Sequence, residues 1–267
     1  MDEAADCARC HKAAVLDSAV DSHSKLGEAH GHCMNCHGSG KAHAQSGDVA
    51  QIFSFSAASA SEVDQRCRTC HDGDHAGADR STHVKANVSC TGCHRIHAAE
   101  AAPHFLKAAQ PELCYQCHND IKKQFSLPFH HKVAEGLIQC TDCHNVHGAE
   151  EEKVRRSTSW QFEECTKCHA SVAGPFLHPH PAVKEEGCTA CHFPHGGANA
   201  KLLTQANVNT ICLQCHSPSL SSTTVQPSAP SHARSAPGQS CTSCHANIHG
   251  STTSEIFLNV LPENRIR

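Results

Sequence analysis

The chain carries the pattern Cys-x-x-Cys-His ten times in 267 residues, and all twenty of its cysteines fall inside these motifs. This pattern is the attachment sequence for c-type haem. Its two cysteines form thioethers with the porphyrin, and its histidine ligates the iron from one side. Because residues i, i+3 and i+4 of a helical turn share one face, both sulfurs and the imidazole converge on one cofactor. The motifs therefore predict ten covalently bound haems c.

The motifs assign two sets of residues to these cofactors. The cysteines predicted to attach haem are Cys7, Cys10, Cys33, Cys36, Cys67, Cys70, Cys90, Cys93, Cys114, Cys117, Cys140, Cys143, Cys165, Cys168, Cys188, Cys191, Cys212, Cys215, Cys241 and Cys244. The histidines predicted to ligate iron as proximal ligands are His11, His37, His71, His94, His118, His144, His169, His192, His216 and His245.

Other uses of paired cysteines fit this chain poorly. Zinc sites also contain C-x-x-C pairs, but zinc gives no reason for a histidine directly after every second cysteine. A thioredoxin-like redox motif would occur once, beside a βαβ pattern. A disulfide framework would not need the same local spacing in every pair. The regular spacing therefore favours haem over metal ions and disulfides.

Large apolar side chains are too few to fill an interior of the usual kind. Aromatic residues make up 4% of the chain, which is less than a core of this length normally uses. Each predicted haem is served by about 27 residues, since 267 residues are shared by ten motifs. We expect the porphyrins to form the core, with a thin polypeptide around them and neighbouring haems in near contact.

The ligands on the other side of each iron are predicted to be histidines. Methionine occurs only at Met1 and Met34, and Met34 lies inside a motif. Sixteen of the 26 histidines remain after ten are assigned as proximal ligands. One of them follows each second motif of a pair, and another usually precedes that motif by seven to ten residues. The predicted distal ligands are His23, His43, His83, His97, His130, His147, His180, His195, His232 and His249.

Three of these assignments leave alternatives open. The competing residues are His23 with His30, His130 with His131, and His178 with His180. Aligning Val133 with Val183 matches His130 to His180, which favours these two histidines. A histidine three residues after a proximal ligand cannot easily pass round its own porphyrin, so we expect it to ligate a neighbouring haem.

The motifs group in pairs that recur at steps near 50 residues, which is typical of an array of repeats and not of one closed core. We predict a single elongated domain over residues 1–267, built of five haem-pair repeats. The approximate repeats are 1–60, 61–108, 109–157, 158–208 and 209–250, with a C-terminal tail at 251–267. The predicted fold class is a multihaem cytochrome c: a mostly irregular chain with short α-helices, almost no β structure and ten stacked haems.

Charge and hydropathy exclude several function classes. The formal net charge is −4, and the haem propionates make the loaded protein more acidic. No basic stripe is present, so nucleic-acid binding is disfavoured. No run of 18 apolar residues predicts a transmembrane helix. Residues 1–6 show no signal peptide, and because this kind of haem attachment occurs outside the cytoplasmic membrane, we expect the mature form of an exported protein.

Several segments of the sequence resemble those of a known family. They are Cys33–His43, the C-x-x-C-H-x-x-H-G phrases at Cys140–Gly148 and Cys188–Gly196, and the closing phrase Cys241–Ser251. Over nearly the whole chain, the sequence resembles the DmsE/MtrA family of decahaem cytochromes. Two doublets depart from the usual H-x-x-H spacing, since His37 and His43 are six residues apart and His245 and His249 are four apart.

The resemblance implies an elongated fold with haems in one line and histidines on both sides of each iron. It also implies electron transfer in the periplasm or at the outer membrane, with a porin-like β-barrel partner and extracellular or terminal redox partners. We therefore expect an electron carrier and not an enzyme. One alternative is a subunit of an extracellular cytochrome filament, which requires self-association. Another is a multihaem reductase, which requires one iron with an open axial position.

Overall fold

The structure is a computed structural model of the chain, and its contacts divide the chain into two compact units. The residues that it describes are 3–18, 23, 33–73, 78, 81–97, 103–148, 157–216 and 239–258. The first unit comprises residues 1–117 and 139–151, and the second comprises residues 118–138 and 152–267. The division of one domain into five repeats stays a prediction.

Short α-helices are the main regular structure of both units. In chain order they are α1 (Glu3–Cys10), α2 (Lys12–Ser18), α3 (Cys33–His37), α4 (Lys41–Ser46), α5 (Ala60–His71), α6 (Thr82–Lys85), α7 (Cys90–Cys93), α8 (Glu112–Tyr115), α9 (Asn119–Phe125), α10 (Thr158–Thr166), α11 (Pro181–Glu185) and α12 (Val208–Cys212). Short 3₁₀ turns lie at Val49–Gln51, Pro103–Phe105, Cys140–Asp142, Ala170–Val172, Cys188–Ala190, Ala200–Leu202 and Cys241–Ser243. Within the described ranges, no helix has both the length and the apolar character needed to cross a bilayer.

Strands in the described part of the chain are two residues long and lie in the second unit. They are β1 (Phe129–His130), β2 (His178–Pro179), β3 (Gly196–Gly197) and β4 (Gly250–Ser251). Strand β1 pairs antiparallel with β3, and β2 pairs antiparallel with β4. The predicted secondary structure, mostly irregular with short helices and little strand, is confirmed.

Two of the helices that lead into first motifs, α5 and α10, begin at serine caps. Ser59 precedes α5, and its hydroxyl accepts a hydrogen bond from the Glu62 N–H at 3.3 Å. The Glu62 carboxylate accepts in return from the Ser59 N–H at 2.8 Å, which completes a capping box. Ser157 precedes α10 and accepts from the Trp160 N–H at 3.3 Å. These side chains satisfy N–H groups that lack an intrahelical partner, so they set where each lead-in helix starts.

The motifs are wound as helical turns, as their spacing predicts. His94 donates its backbone N–H to the Cys90 carbonyl at 2.9 Å, and His192 donates to the Cys188 carbonyl at 3.0 Å. The same bond to the first cysteine of the motif is donated by His11, His144, His169, His216 and His245. This winding brings both sulfurs and the imidazole to one side of the turn.

Few apolar side chains are shielded from solvent by the polypeptide itself. Among the described residues, the buried hydrophobic side chains are Ala60, Val63, Tyr115, Phe125 and Val133. They lie next to motifs or next to candidate distal histidines in sequence. The small size of this core agrees with the low aromatic content of the chain.

Candidate haem sites

Histidine rings face one another in pairs in both units. The ring centroids of seven pairs lie 5.8 to 6.2 Å apart. The pairs are His11–His43, His23–His71, His37–His97, His94–His147, His131–His169, His180–His216 and His192–His249. Each pair joins a motif histidine to a histidine outside the motifs, so each contains one predicted proximal ligand and one candidate distal ligand.

This spacing fits two imidazoles on opposite sides of one iron. A metal–imidazole bond is about 2 Å long, so two rings bound to opposite sides of one metal have centroids roughly 6 Å apart. Directly stacked rings scatter more widely, from about 4.5 to 7 Å, whereas the seven pairs differ by at most 0.4 Å (6.2 minus 5.8). The residues present therefore fit haem iron with two histidine ligands.

In several of these rings, Nδ1 donates a hydrogen bond to a backbone carbonyl, which fixes the orientation of the ring. His94 donates from Nδ1 to the His104 carbonyl at 2.8 Å, and His192 donates from Nδ1 to the Lys201 carbonyl at 2.9 Å. The Nδ1 atoms of His37, His43, His131 and His245 likewise bond the carbonyls of Phe53, Asp48, Pro194 and Ile256. A ring that holds its proton on Nδ1 presents the lone pair of Nε2 to a metal.

Burial keeps some of these rings in the neutral form. It lowers the pKa of His37, His180 and His249 below the ordinary value, with neighbouring histidines adding a smaller lowering effect on each pKa. Neutral imidazole is the form that binds a metal. These three side chains are therefore suited to ligate iron.

After a second motif, the chain folds back and pairs with the motif through the backbone. We call these stretches return segments, and they are residues 104–107, 201–204 and 256–258. Arg95 donates its N–H to the Phe105 carbonyl at 2.7 Å, and Lys107 donates to the Cys93 carbonyl at 2.9 Å. The equivalent bonds after the next-but-one pair of motifs run from Phe193 to Leu202 at 2.7 Å and from Thr204 to Cys191 at 2.9 Å. The return segment therefore holds the motif histidine through the backbone of its two chain neighbours and through its ring.

The return segments turn through left-handed residues. His104 and Phe105 have φ of 60° and 57°, Lys201 and Leu202 have φ of 57° and 58°, and Phe257 has φ of 58°. This conformation costs non-glycine residues about 1–2 kcal/mol each, so the surrounding contacts must hold it. The sequence reasoning missed these segments, although a bulky apolar pair (Phe-Leu or Leu-Leu) begins ten to twelve residues after the motif histidine.

The ring pairs connect the predicted repeats in two directions. The histidine after a second motif faces the second motif of the preceding repeat in the pairs His97–His37, His147–His94 and His249–His192. The histidine before a second motif faces the first motif of the following repeat in the pairs His23–His71, His131–His169 and His180–His216. His43 differs, because it faces His11 of its own repeat.

The structure separates the adjacent candidates His130 and His131. The ring of His131 faces that of His169 at 6.1 Å. His130 instead bonds the Leu127 carbonyl through Nδ1 at 2.6 Å and the Glu135 carboxylate through Nε2 at 3.1 Å. Both ring nitrogens of the predicted ligand His130 are thus engaged elsewhere, and His131 stands in the pair in its place.

The ring pairs also distinguish His178 from His180, whereas His30 lies outside the described residues. His180 faces His216 at 6.2 Å and also contacts the ring of Phe257 at 5.2 Å. His178 lies in β2, opposite Ser251 of β4. His180 lies just past β2, at the start of α11.

Besides His130, the seven pairs leave out three predicted distal ligands. His83 lies on α6. His195 bonds the Gln124 side-chain oxygen through Nδ1 at 3.2 Å and contacts the Phe125 ring at 5.3 Å. His232 lies outside the described residues. The ligand roles of these three histidines stay predictions.

The first cysteines of the two motifs in a repeat lie within hydrogen-bonding distance of each other. These contacts are Cys7–Cys33, Cys67–Cys90, Cys114–Cys140, Cys165–Cys188 and Cys212–Cys241. In the second repeat, the hydrogen bond from Cys90 lowers the pKa of Cys67 to about 7. The attachment points of two haems in one repeat are therefore adjacent.

Second cysteines lie near the motif that follows. Burial raises the pKa of Cys36, Cys93 and Cys191. The nearest cysteines of the next motif raise each pKa further, and these are Cys67, Cys114 and Cys215 respectively. Within each unit, the attachment points thus follow one another along the chain.

The profile of the doubled CXXCH motif matches three segments of the chain, at residues 82–123, 130–174 and 180–219. Each segment holds the second motif of one predicted repeat and the first motif of the next. Two segments each enclose one ring pair, since His131–His169 lies in the second and His180–His216 in the third. In these two segments, the profile therefore matches the stretch of chain within which a histidine before a second motif faces the first motif that follows.

The chain also matches a curated relative over most of its length. It is 32% identical to the multiheme cytochrome MtrA of Shewanella baltica (strain OS185), over 92% of this chain and 77% of the relative. The predicted family and the predicted covalently bound haem c are confirmed by this match and by the doubled motifs. The chain therefore belongs to the MtrA-like multihaem c-type cytochromes, a class of electron-transfer proteins.

Proposed function

We propose that the chain holds ten haems c in one array, each iron between two histidines, and conducts electrons along the array. The observation that supports this proposal best is the set of ring pairs, because six of the seven join a motif of one repeat to a histidine of its neighbour. Each such site is held by two separate segments of chain, which fixes neighbouring sites relative to one another.

The proposed distal ligands come from two sources. The ring pairs contribute His23, His43, His97, His131, His147, His180 and His249. The sequence pattern contributes His83, His195 and His232. Together with the ten motif histidines they complete ten pairs, with His131 in place of His130.

When bound, haem supplies a one-electron carrier whose reduction potential depends on its axial ligands and surroundings. The chain's residues attach it, orient it and set its spacing. Two histidine ligands favour a lower potential than one histidine with one methionine. The cysteine contacts support close spacing, since attachment points adjoin from Cys7 to Cys140 in the first unit and from Cys165 to Cys241 in the second.

We propose that the chain works in the periplasm or at the outer membrane, inside or against a porin-like β-barrel. Redox proteins or extracellular acceptors would exchange electrons at the ends of the array. The support is the resemblance to a family whose members pass electrons through or towards such a barrel, together with the identity to MtrA. No observation on the described residues favours the filament alternative.

Two measurements on the native protein test the cofactor arrangement. Intact mass spectrometry should find ten haems on the polypeptide. Electron paramagnetic resonance of the oxidised protein should show low-spin iron, because every iron has two imidazole ligands. A mass with fewer haems would contradict the array, and a high-spin signal from one iron per molecule would favour the reductase alternative.

A vesicle assay tests the conduit. Vesicles that contain the chain and its co-purified barrel, loaded with reduced methyl viologen, should lose the viologen colour when ferric citrate is added outside. Vesicles with the barrel alone are the control for leakage. Equal rates in both preparations would contradict electron conduction by this chain.

A further inference from the structure

A polar side chain on the lead-in helix of a repeat reaches the first turn of the second motif. Asp64 lies on α5, three residues before the first motif, and its Oδ1 accepts from the Cys90 N–H at 2.8 Å. Asn209 lies on α12, three residues before its motif, and its Oδ1 accepts from the Cys241 N–H at 2.8 Å. The acceptor and the donor have the same places in the two repeats.

Two other repeats make the same contact with a glutamine, one residue earlier. Gln110 and Gln161 lie four residues before the first motif. Gln110 Oε1 accepts from the Thr141 N–H at 3.2 Å, and Gln161 Oε1 accepts from the Thr189 N–H at 3.0 Å. The longer side chain compensates for the earlier position and bonds the next N–H along the second motif. In the first repeat, the side chains at the equivalent positions lie outside the described residues.

These contacts are caps that cross from one motif to the other. The first N–H groups of a helical turn have no partner within the turn, and a side-chain oxygen that accepts from one of them stabilises the turn. Here the oxygen comes from the helix that carries the other haem site or, for Gln110, from the turn just before that helix. The cap therefore fixes the second motif of a repeat against the first.

Asp64 differs from the other caps because its side chain carries a charge. It is 6% exposed, so solvent screens it poorly. The two arginines of the same helix contact other groups: Arg66 lies over the Phe53 ring at 4.6 Å, and Arg68 pairs with Asp72 at 2.6 Å. The charge of Asp64 therefore acts mainly on its immediate surroundings.

Those surroundings include the attachment points of two haems. Asp64 stands one helical turn before Cys67 and bonds the backbone of Cys90, and the two cysteines contact each other. A nearby negative charge stabilises the oxidised form of a haem, which carries one positive charge more than the reduced form. Surrounding charge and hydrogen bonds are established determinants of such potentials.

We propose that Asp64 is a positioning residue that also sets reduction potentials. Its carboxylate caps the second motif and holds the two haems of this repeat, attached through Cys67 and Cys90, at lower potentials than a neutral cap would. This proposal deepens the conduit function. It rests on haem attachment at these motifs and not on the barrel partner or the direction of electron flow.

The decisive variant is Asp64→Asn, because asparagine makes the same bond in the fifth repeat. It keeps the acceptor oxygen and removes the charge. In a spectroelectrochemical titration of the loaded protein, two of the ten haems should become easier to reduce. The expected change is about tenfold in each reduction equilibrium, or about 59 mV for a one-electron couple. A residue that only supported the fold would leave the potentials unchanged in this variant.

The reciprocal variant is Gln161→Glu, which introduces a carboxylate at a cap of matching burial. Gln161 is 5% exposed and bonds both the N–H and the hydroxyl of Thr189 through one oxygen. The two haems of that repeat should become harder to reduce by a similar factor. If Asp64→Asn fails to load all its haems, the potentials of Gln161→Glu test the proposal.

Unchanged potentials in a fully loaded Asp64→Asn protein would overturn the proposal, and so would unchanged or raised potentials in Gln161→Glu. Either result is compatible with the conduit function if the vesicle assay still shows conduction. If the unmodified protein does not conduct in that assay, the conduit function is contradicted and the role of Asp64 is not affected. Haem counts by intact mass spectrometry must match the unmodified protein in both variants.

Discussion

The first and second motifs of a repeat hold their histidine pairs in different ways. A first motif lies at the end of a lead-in helix, as Cys67 and His71 do at the end of α5 and Cys165 does on α10. A second motif lies on a single turn, such as α7 or the 3₁₀ turn Cys188–Ala190, and its histidine bonds a return segment. A first motif is thus positioned by the chain before it. A second motif is capped from the chain before the first motif, and its histidine ring is held by the chain that follows it.

The angles between the paired rings vary less at second-motif sites than at first-motif sites. The second-motif pairs His37–His97, His94–His147 and His192–His249 have interplanar angles of 22°, 22° and 21°. The first-motif pairs His11–His43, His23–His71, His131–His169 and His180–His216 have angles of 27°, 77°, 62° and 19°. In the second-motif sites the bond from Nδ1 to a carbonyl limits rotation of the motif ring, which accounts for the narrow range.

Because the two kinds of site draw distal histidines from opposite directions, neighbouring repeats exchange them. The first two repeats exchange through His23–His71 and His97–His37, and the last two through His180–His216 and His249–His192. In the proposed array, each repeat of such an exchange supplies a distal histidine for one iron of the other. The ring pairs then link the two repeats twice at each of these junctions.

The largest expected effect is the loss of a distal ligand at a first-motif site. In His131→Ala, the iron on His169 loses its second histidine, so one of the ten irons should become high-spin in the electron paramagnetic resonance spectrum. His130→Ala is the matched control, because it removes only the bonds to Leu127 and Glu135. Its spectrum should stay low-spin. A high-spin iron in His130→Ala and not in His131→Ala would show that His130 is the ligand. It would also contradict the link between the third and fourth repeats through His131 and His169.

A smaller effect is expected from the cap that starts a lead-in helix. Ser59→Ala removes the capping box of α5 and should lower the free energy of unfolding by about 1 kcal/mol, because the Glu62 N–H loses its acceptor. The measurement is a guanidinium titration followed by haem absorbance.

Ser61→Ala is the matched control for this cap. Ser61 is exposed and lies two residues further along the same helix, where alanine is the better helix former by about 0.5 kcal/mol. Its free energy of unfolding should stay level or rise slightly. Equal losses in the two variants would show that the cap does not position the first motif.

The sequence predicted what local chemistry determines. Motif spacing alone assigned the attachment cysteines and the motif histidines, and the count of methionines pointed to histidine as the distal ligand. The helix before Cys165 begins at a polar cap, Ser157, which lies close to it in the chain. These features depend on residues close together in the chain, so a single sequence contains them.

The features that the sequence did not predict depend on contacts between distant residues. Which of these two adjacent rings faces His169 depends on chain more than 60 residues away, because His130 pairs with Gly196 in the β1–β3 strand pair and His131 Nδ1 bonds the Pro194 carbonyl. The caps from Asp64 and Gln161 are two different residue types at two different positions, so no common motif marks them. Only the fold shows that both reach the same turn.

The smallest expected effect concerns the left-handed return segment of a second-motif site. Lys201 has φ of 57°, and its carbonyl accepts from His192 Nδ1. Lys201→Gly keeps that carbonyl and relieves the left-handed strain, so the free energy of unfolding should rise by up to about 1 kcal/mol, reduced by the greater freedom of glycine in the unfolded chain. Lys123→Gly, at an exposed position on α9, is the control and should lose about 1 kcal/mol. If both glycines destabilise equally, the return segment is not held in the left-handed conformation, and the proposed difference between the two kinds of motif loses its physical basis.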